Sequence, residues 1–284
     1  CARTGVGAAK VAIGAAASSW RAPVRIAFTH NLKTAPDEAQ AEFDTPETVA
    51  ALAVALTAAG HRVRPIDVGQ PVADLVADLL AFGPDVVFNT AEGRHGPLRE
   101  AFYPQLFEEL GLAYTGSGPH ACVTTLDKHL SKLVARAHGV LTPPWLFMRT
   151  GDEPWPLDLE APVIVKPCFE GSSKGIDGGA VHDRLPAARA AARALLARYP
   201  DGVIVEAYVG GEDVVAPWLE GCTGDGTLAI AGYRTPDEPE RRGIYDYDLK
   251  NTRSEQVEVV FPAALRPRTA AAIRQATVRL VAAL

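Results

Sequence analysis

Apolar and polar positions alternate along this chain in two rhythms. Compact β-type runs at 24–28 (VRIAF), 61–68 (HRVRPIDV) and 85–89 (DVVFN) are separated by stretches with apolar residues at helical spacing, 46–59, 74–82 and 99–110. Gly60 and Gly111 follow the first and last of these stretches, where glycine ends a helix. A short fourth strand is predicted at 112–117 (LAYTGS). Such alternation implies a parallel sheet with helices on both faces and ligands beyond the carboxyl ends of its strands.

From Asp127 the rhythm changes. A helix over 127–138 stops at Gly139, and strands are predicted at 143–148 (PPWLFM), 162–167 (PVIVKP) and 176–181. An alanine-rich helix covers 186–199, and three further strands, 202–209, 212–219 and 226–233, are joined by glycine turns. The final element, 266–284, places Ile273, Leu280 and Leu284 on one helical face. These elements divide into an extension (1–22), an α/β domain (23–120), a central α+β lobe (121–205) and a last lobe (206–284).

A hydrophobic fraction of 48% over 284 residues suits packed units with a real core. The net charge of −6 comes without a basic block, which argues against a nucleic-acid partner. No apolar run approaches the ~20 residues of a membrane span. Cys1, Cys122, Cys168 and Cys222 lie far apart without zinc spacing, so they read as free thiols of a reducing, cytoplasmic compartment. The first residues lack a methionine and a leucine-rich segment, and read as a poorly packed extension rather than a cut targeting signal.

The chemistry concentrates in PVIVKPCFEGSSKGI, 162–176. A strand that ends on Lys166 buries its stem and needs an anionic partner for the charge. The following loop, Glu170 to Gly175, offers backbone N–H groups and the hydroxyls of Ser172 and Ser173 to a phosphate, although a surface hairpin would look similar. It is no Walker loop, because it joins two strands. GVGAAK near the start has no strand before it, which makes a dinucleotide site there improbable.

Lys128, Lys166 and Lys250 each stand at the edge of an element, as phosphate contacts or as solvated cations. In VIVEAYVGGED, Glu206 ends a strand where it can accept the exocyclic amine of adenine. Ala207 and Val209 offer main-chain donors there, and Glu212 suits ribose hydroxyls; an acidic turn beside a hairpin is the alternative. Among the histidines only His95 merits a test.

Taken in order, TGSGPHACVTTLDKHLSK, PVIVKPCFEGSSKGI, VIVEAYVGGED and IYDYDLKN...VVFPAAL resemble successive segments of the ATP-grasp enzymes, specifically the D-alanine:D-alanine ligases, from about residue 113 to 265. The resemblance implies an N-terminal α/β domain of the pre-ATP-grasp type followed by two α+β ATP-grasp lobes that clamp ATP. Carried over by position, Lys128 and Lys166 contact the phosphates and Ser172 and Ser173 lie on a lid over the γ-phosphate. Glu206, Ala207 and Val209 bind adenine, Glu212 binds ribose, and Lys250 reaches the phosphates from the last lobe. The implied reaction uses ATP and Mg²⁺ to join a carboxylate to an amine on small amino-acid-like substrates, with a homodimer by family analogy.

Three departures matter. The family's metal ligands, an aspartate, a glutamate and an asparagine, follow the final helix and have no counterpart before Leu284, so no metal ligand is expected within this chain. The expectation is a C-terminally incomplete lobe that binds Mg²⁺-ATP poorly. The histidine-glycine of the first substrate site appears as Glu92-Gly93, which favours a cationic or amine-bearing substrate. The tyrosine after the last catalytic lysine is Asn251. Glu42, ahead of a helix, matches the residue that holds the first substrate's amino group; alternatively it is solvated beside a cap made by Asp44 or Thr45. The rival from another class is a non-catalytic nucleotide-binding or scaffold remnant; an oxidoreductase lacks the glycine fingerprint.

Overall fold

Strand β1 (Arg25–His30) is buried on both faces from Ile26 onward, as the central strand of a parallel sheet requires. It pairs in parallel with β2 (Arg62–Asp67) and with β3 (Val86–Asn89), giving the order β2-β1-β3. The computed structural model describes residues 23–238 and 242–284, so GVGAAK and Cys1 lie outside the described residues. Three helices cover this sheet: α1 (Pro46–Ala58), α2 (Val72–Phe82) and α3 (Arg99–Glu109). Leu75 and Leu79 of α2 and Tyr103 and Phe107 of α3 close the core over Ala27, Ile66 and Val87.

The predicted fourth strand shrinks to a single parallel bridge between Tyr114 and Val87. Glycines at positive φ, Gly111 and Gly116, turn the backbone on both sides of it and leave no room for a longer ladder. Thr45 caps α1, accepting a hydrogen bond from the Thr48 N–H at 3.2 Å, while Asp44 accepts one from the Thr90 hydroxyl at 2.6 Å.

The helix expected over 127–138 is α5 (Lys128–Ala137), and a further helix that was not foreseen, α4 (Pro119–Leu126), precedes it. Asp127 between them is extended, and its carboxylate accepts from the Leu130 N–H at 3.0 Å. An aspartate that caps the second helix cannot also continue the first. The signal for α4 was Pro119, which occupies its first turn behind Gly118.

The central sheet is antiparallel with order β4-β7-β5-β6, formed by β4 (Trp145–Met148), β5 (Val163–Pro167), β6 (Val181–His182) and β7 (Val203–Ala207). On one face Val163, Val165, Val203 and Val205 pack on Ala188 and Ala192 of α6 (Leu185–Leu196). Alternation puts Lys166 and Glu206 on the other face. The strand expected over 176–181 is only β6, because the turns Gly171–Lys174, Ser173–Ile176 and Asp177–Ala180 curl the backbone before it.

A third sheet, order β10-β9-β8, holds β8 (Asp213–Val215), β9 (Ala231–Arg234) and β10 (Glu258–Val260). The two longer strands expected here are cut short. Pro217 removes a ladder donor after β8, and beyond the strands only the bridge between Trp218 and Thr227 remains. Strand β10 and helix α7 (Tyr247–Asn251) were not foreseen, and α8 (Pro267–Val281) follows.

Candidate active site

The loop after β5 ties three parts of the molecule together. From the first domain, the Glu42 carboxylate accepts from the Gly171 N–H at 2.7 Å and Glu38 accepts from the Gly175 N–H at 2.8 Å. From the last lobe, Tyr247 N–H donates to the Ile176 carbonyl at 3.0 Å and the Asn251 amide to the Ser172 carbonyl at 3.3 Å. A Cβ at position 171 would stand 2.4 Å from Glu42 Oε1, so a larger residue there would displace that carboxylate. Ser172 and Ser173 both sit in the left-handed region, φ 46° and 58°, a strained conformation for side-chain-bearing residues.

Beneath this loop lies a buried ion cluster. Arg99 reaches both oxygens of Glu42, at 2.9 and 3.0 Å, and Glu170 at 3.3 Å; Lys174 contacts Glu42 at 3.5 Å and Glu170. The Arg99 and Glu42 side chains are only 7% and 5% exposed, so they are held by each other rather than by water. Glu42 is therefore neither solvated nor free to receive an ammonium in this arrangement.

Antiparallel register explains the second cluster. Lys166 lies opposite Ile204, and Glu206 opposite Ile164, which makes Lys166 and Glu206 diagonal neighbours on one face. Lys166 pairs with Glu206 Oε1, and Lys132 of α5 pairs with Oε2 at 2.6 Å. Burial alone would push the Glu206 carboxyl up, but Lys166 and Lys132 overcome it and hold it below the usual carboxylate range. Lys128, at the start of α5, donates to the carbonyls of Cys168, at 3.3 Å, and Glu170. Burial and the neighbouring Lys166 charge lower its ammonium to about 8.

Two cavities of about 350 Å³ each adjoin these clusters. The first is lined by Lys128, Lys166, Ser172 and Ser173; the second by Glu42, Asp44, Glu92 and Asn89; Glu100 lines both. Burial pushes Glu92 up to about 7, reinforced by the charges of Glu100 and Glu42, and Glu100 is raised by burial as well. Asn31 fixes this turn by accepting from the N–H groups of Glu92 and Gly93 at 2.9 and 3.1 Å. Gly93 has φ 82°, and a Cβ there would lie 2.2 Å from the Arg99 carbonyl.

Of the residues singled out from sequence, Lys128, Lys166, Ser172 and Ser173 line one cavity, and Glu42 and Glu92 the other. Some are placed differently. Ala207 is no free main-chain donor, because its N–H bonds the Pro144 carbonyl at 2.9 Å. Ser173 donates its hydroxyl to the Tyr245 carbonyl at 2.8 Å. Lys250 is exposed, stands 5.9 Å from the Tyr245 ring centroid and lines neither cavity, whereas its neighbour Asn251 grips the loop. Val209 is 71% exposed, and Glu212 is exposed with Arg234 at 3.8 Å. His95 is exposed and lines neither cavity. Arg99, Glu100, Lys132, Glu170 and Lys174 were missed as site residues; for Lys132 the signal was its position one helical turn after Lys128.

Among the described residues no three His, Cys, Asp or Glu side chains come together as a metal site. Among them, too, no helix is long and apolar enough to cross a membrane.

The family model described as "D-ala D-ala ligase C-terminus" matches residues 138–284. The D-alanine--D-alanine ligase of Sinorhizobium fredii is 35% identical over 219 residues, which cover 77% of this chain and 66% of that protein. The enzyme of the same name from Syntrophotalea carbinolica is 32% identical over 234 residues, 82% of this chain and 70% of the relative. The chain thus spans about two thirds of the length of these relatives. Its fold matches the crystal structure of the Bacillus anthracis D-alanine--D-alanine ligase with a TM-score of 0.67 at 20% identity, over 92% of this chain and 78% of the other. A second structure of that enzyme, complexed with ATP, matches with a TM-score of 0.65 at 18% identity. On the family match and the extent of these alignments, the chain belongs to the D-alanine--D-alanine ligase family and has the ATP-grasp fold.

Proposed function

We propose that this chain carries the ATP-dependent ligation of a carboxylate to an amine, as in D-alanine--D-alanine ligases. The observation that carries the reading is the juxtaposition of a lysine-lined cavity and an acid-lined one that share Glu100. Phosphate belongs in the first and an amine-bearing substrate in the second. A substrate carboxylate oxygen attacks the γ-phosphorus, and the bond from that phosphorus to the ADP oxygen breaks. An amine nitrogen then attacks the acyl carbon, phosphate departs, and the nitrogen loses a proton.

The chain's contribution is positioning and charge neutralisation, which dominate phosphoryl transfer. Lys128 and Lys166 offset the phosphate charge, and the Ser172 hydroxyl covers it. Glu206 and Val209 take the adenine, Glu212 the ribose, and Lys250 approaches the phosphates from the last lobe through movement of α7. Magnesium would offset charge between the phosphates, but the described residues make no site for it, and no step here is routed through the ion. Glu92 in place of a neutral group selects a substrate that brings a cation to the acidic cavity, so the pair joined need not be two D-alanines. A homodimer in the cytoplasm, where ATP is available, completes this reading, with residues 23–120 as the substrate-side domain.

The test is phosphate release from Mg²⁺-ATP by the full-length protein across a panel of D- and L-amino acids, singly and in pairs. Release that requires a particular pair is the expected result; ATP hydrolysis indifferent to every amino acid would refute it. Lys166→Ala should weaken ATP binding roughly tenfold or more, since a hydrogen bond to a charged group contributes about 1.5–3 kcal/mol. An exposed-arginine control on α8, Arg268→Ala, should leave binding unchanged. Equal losses in the two variants would remove Lys166 from the site.

A further inference from the structure

Glu206 has two cationic partners with different surroundings. Lys166 lines the phosphate-side cavity, and its charge is felt by Lys128 and by Asp213 of β8. Lys132 does not line that cavity. Its ammonium has three acceptors: Glu206 Oε2 at 2.6 Å, the Thr142 hydroxyl at 2.7 Å and the Pro143 carbonyl at 3.2 Å. Three donors meet three acceptors, so Lys132 is fully bonded where it stands. The Trp145 ring, opposite Glu206 in the β4–β7 register, lies 5.2 Å from the same ammonium and adds a cation–π contact. Lys132 is thus a fixed cation, whereas Lys166 faces the phosphate-side cavity and donates to one carboxylate oxygen, Glu206 Oε1.

We propose that Lys132 is a positioning residue: it serves as the standing counter-ion of Glu206, so that Lys166 can leave that carboxylate and turn to phosphate. The inference rests on the reading above, in which Lys166 contacts phosphate. A carboxylate this buried cannot lose all its cationic partners without a large cost. With Lys132 in place, Glu206 keeps one partner when Lys166 moves; without it, Glu206 retains Lys166 and competes with the phosphate.

Binding of inorganic tripolyphosphate to the full-length protein, measured by calorimetry, isolates this competition because the probe has no adenine. Glu206→Gln should bind it several-fold more tightly than the native protein, and Lys132→Met about tenfold more weakly, equivalent to about 1.4 kcal/mol. The decisive variant is the double one, Lys132→Met with Glu206→Gln. If Lys132 acts through Glu206, the double variant binds as tightly as Glu206→Gln alone, because no carboxylate is left to hold Lys166. If Lys132 contributes only a general positive charge, the two effects add independently and the double variant binds about tenfold more weakly than Glu206→Gln alone, which overturns the proposal. Should Lys132→Met alone fail to fold, the comparison of the double variant with Glu206→Gln still decides, since the double variant holds no buried carboxylate and the one cation left without its partner, Lys166, faces the cavity. A native protein that does not bind tripolyphosphate would refute the phosphate-side reading itself, and this inference with it.

Discussion

Arg99→Met is expected to cost about 3–5 kcal/mol of folding stability, the range for removing one partner of a buried ion pair. Met preserves much of the side-chain volume, so the loss isolates the charge. Without Arg99, Glu42 keeps the Gly171 N–H at 2.7 Å and Lys174 at 3.5 Å, but loses both guanidinium bonds. The Phe169 carbonyl loses its donor at 2.8 Å as well. With the Glu170 contact at 3.3 Å lost too, three anchors of the loop over the lysine-lined cavity, Glu42, Phe169 and Glu170, weaken together, and ATP binding should fall in parallel. Urea unfolding measures the stability change, with Arg25→Met as the control. Arg25 pairs with Asp85 at 2.9 Å in the open, where water screens the pair, and no comparable loss is expected there. A drop below ~1 kcal/mol for Arg99→Met would mean that water reaches the cluster and carries its charges.

Glu92→Gln should do the opposite above neutral pH and stabilise the protein. Burial, with Glu100 and Glu42 nearby, raises the Glu92 carboxyl from 4.5 to about 7. Between those values the unfolded chain has released a proton that the folded chain retains, so stability falls as pH rises from about 4.5 to 7 and then levels off. The shift corresponds to about 3 kcal/mol. Glutamine does not titrate, so the variant should gain about that much over the native protein at pH 8 and little at pH 4.5. Parallel stability curves for the two proteins across this range would show that Glu92 ionises freely in the fold. The same property bears on substrate choice: an ammonium entering the acidic cavity lowers the Glu92 pKa, so its binding near pH 6.5 should release a proton, which calorimetry in buffers of different ionisation enthalpy detects.

The comparison of pattern with structure divides along the range over which each signal acts. The strand ending on Lys166, the glycine-serine loop and the Thr45 cap were all legible, because each rests on a few adjacent residues and their backbone preferences. Errors arose where a local signal was short or had two readings. Helix α5 stands where it was expected, with Asp127 as its cap, but α4 before it was not foreseen, because it spans little more than two turns. The runs at 212–219 and 226–233 have strand composition throughout, yet Pro217 limits how far they can pair. The boundary expected between 205 and 206 falls inside β7, whose ladder with β5 continues to Ala207.

Within the candidate site, the residue types that suit phosphate and amine chemistry could be read from the chain, but not their company. Glu42 meets Arg99 across 57 residues and the Gly171 N–H across 129, and Lys166 meets Glu206 across 40. Sequence alone determined most of the strand and helix segments, the glycine-serine loop and the kinds of charge near it, because backbone preference and periodicity act over a few residues. Tertiary structure alone decided that Glu42 is bound to an arginine, that Glu206 lies between two lysines and that Glu92 holds its proton near neutrality. Those outcomes depend on which charges are buried together away from water, and burial is a property of the packed fold rather than of any segment.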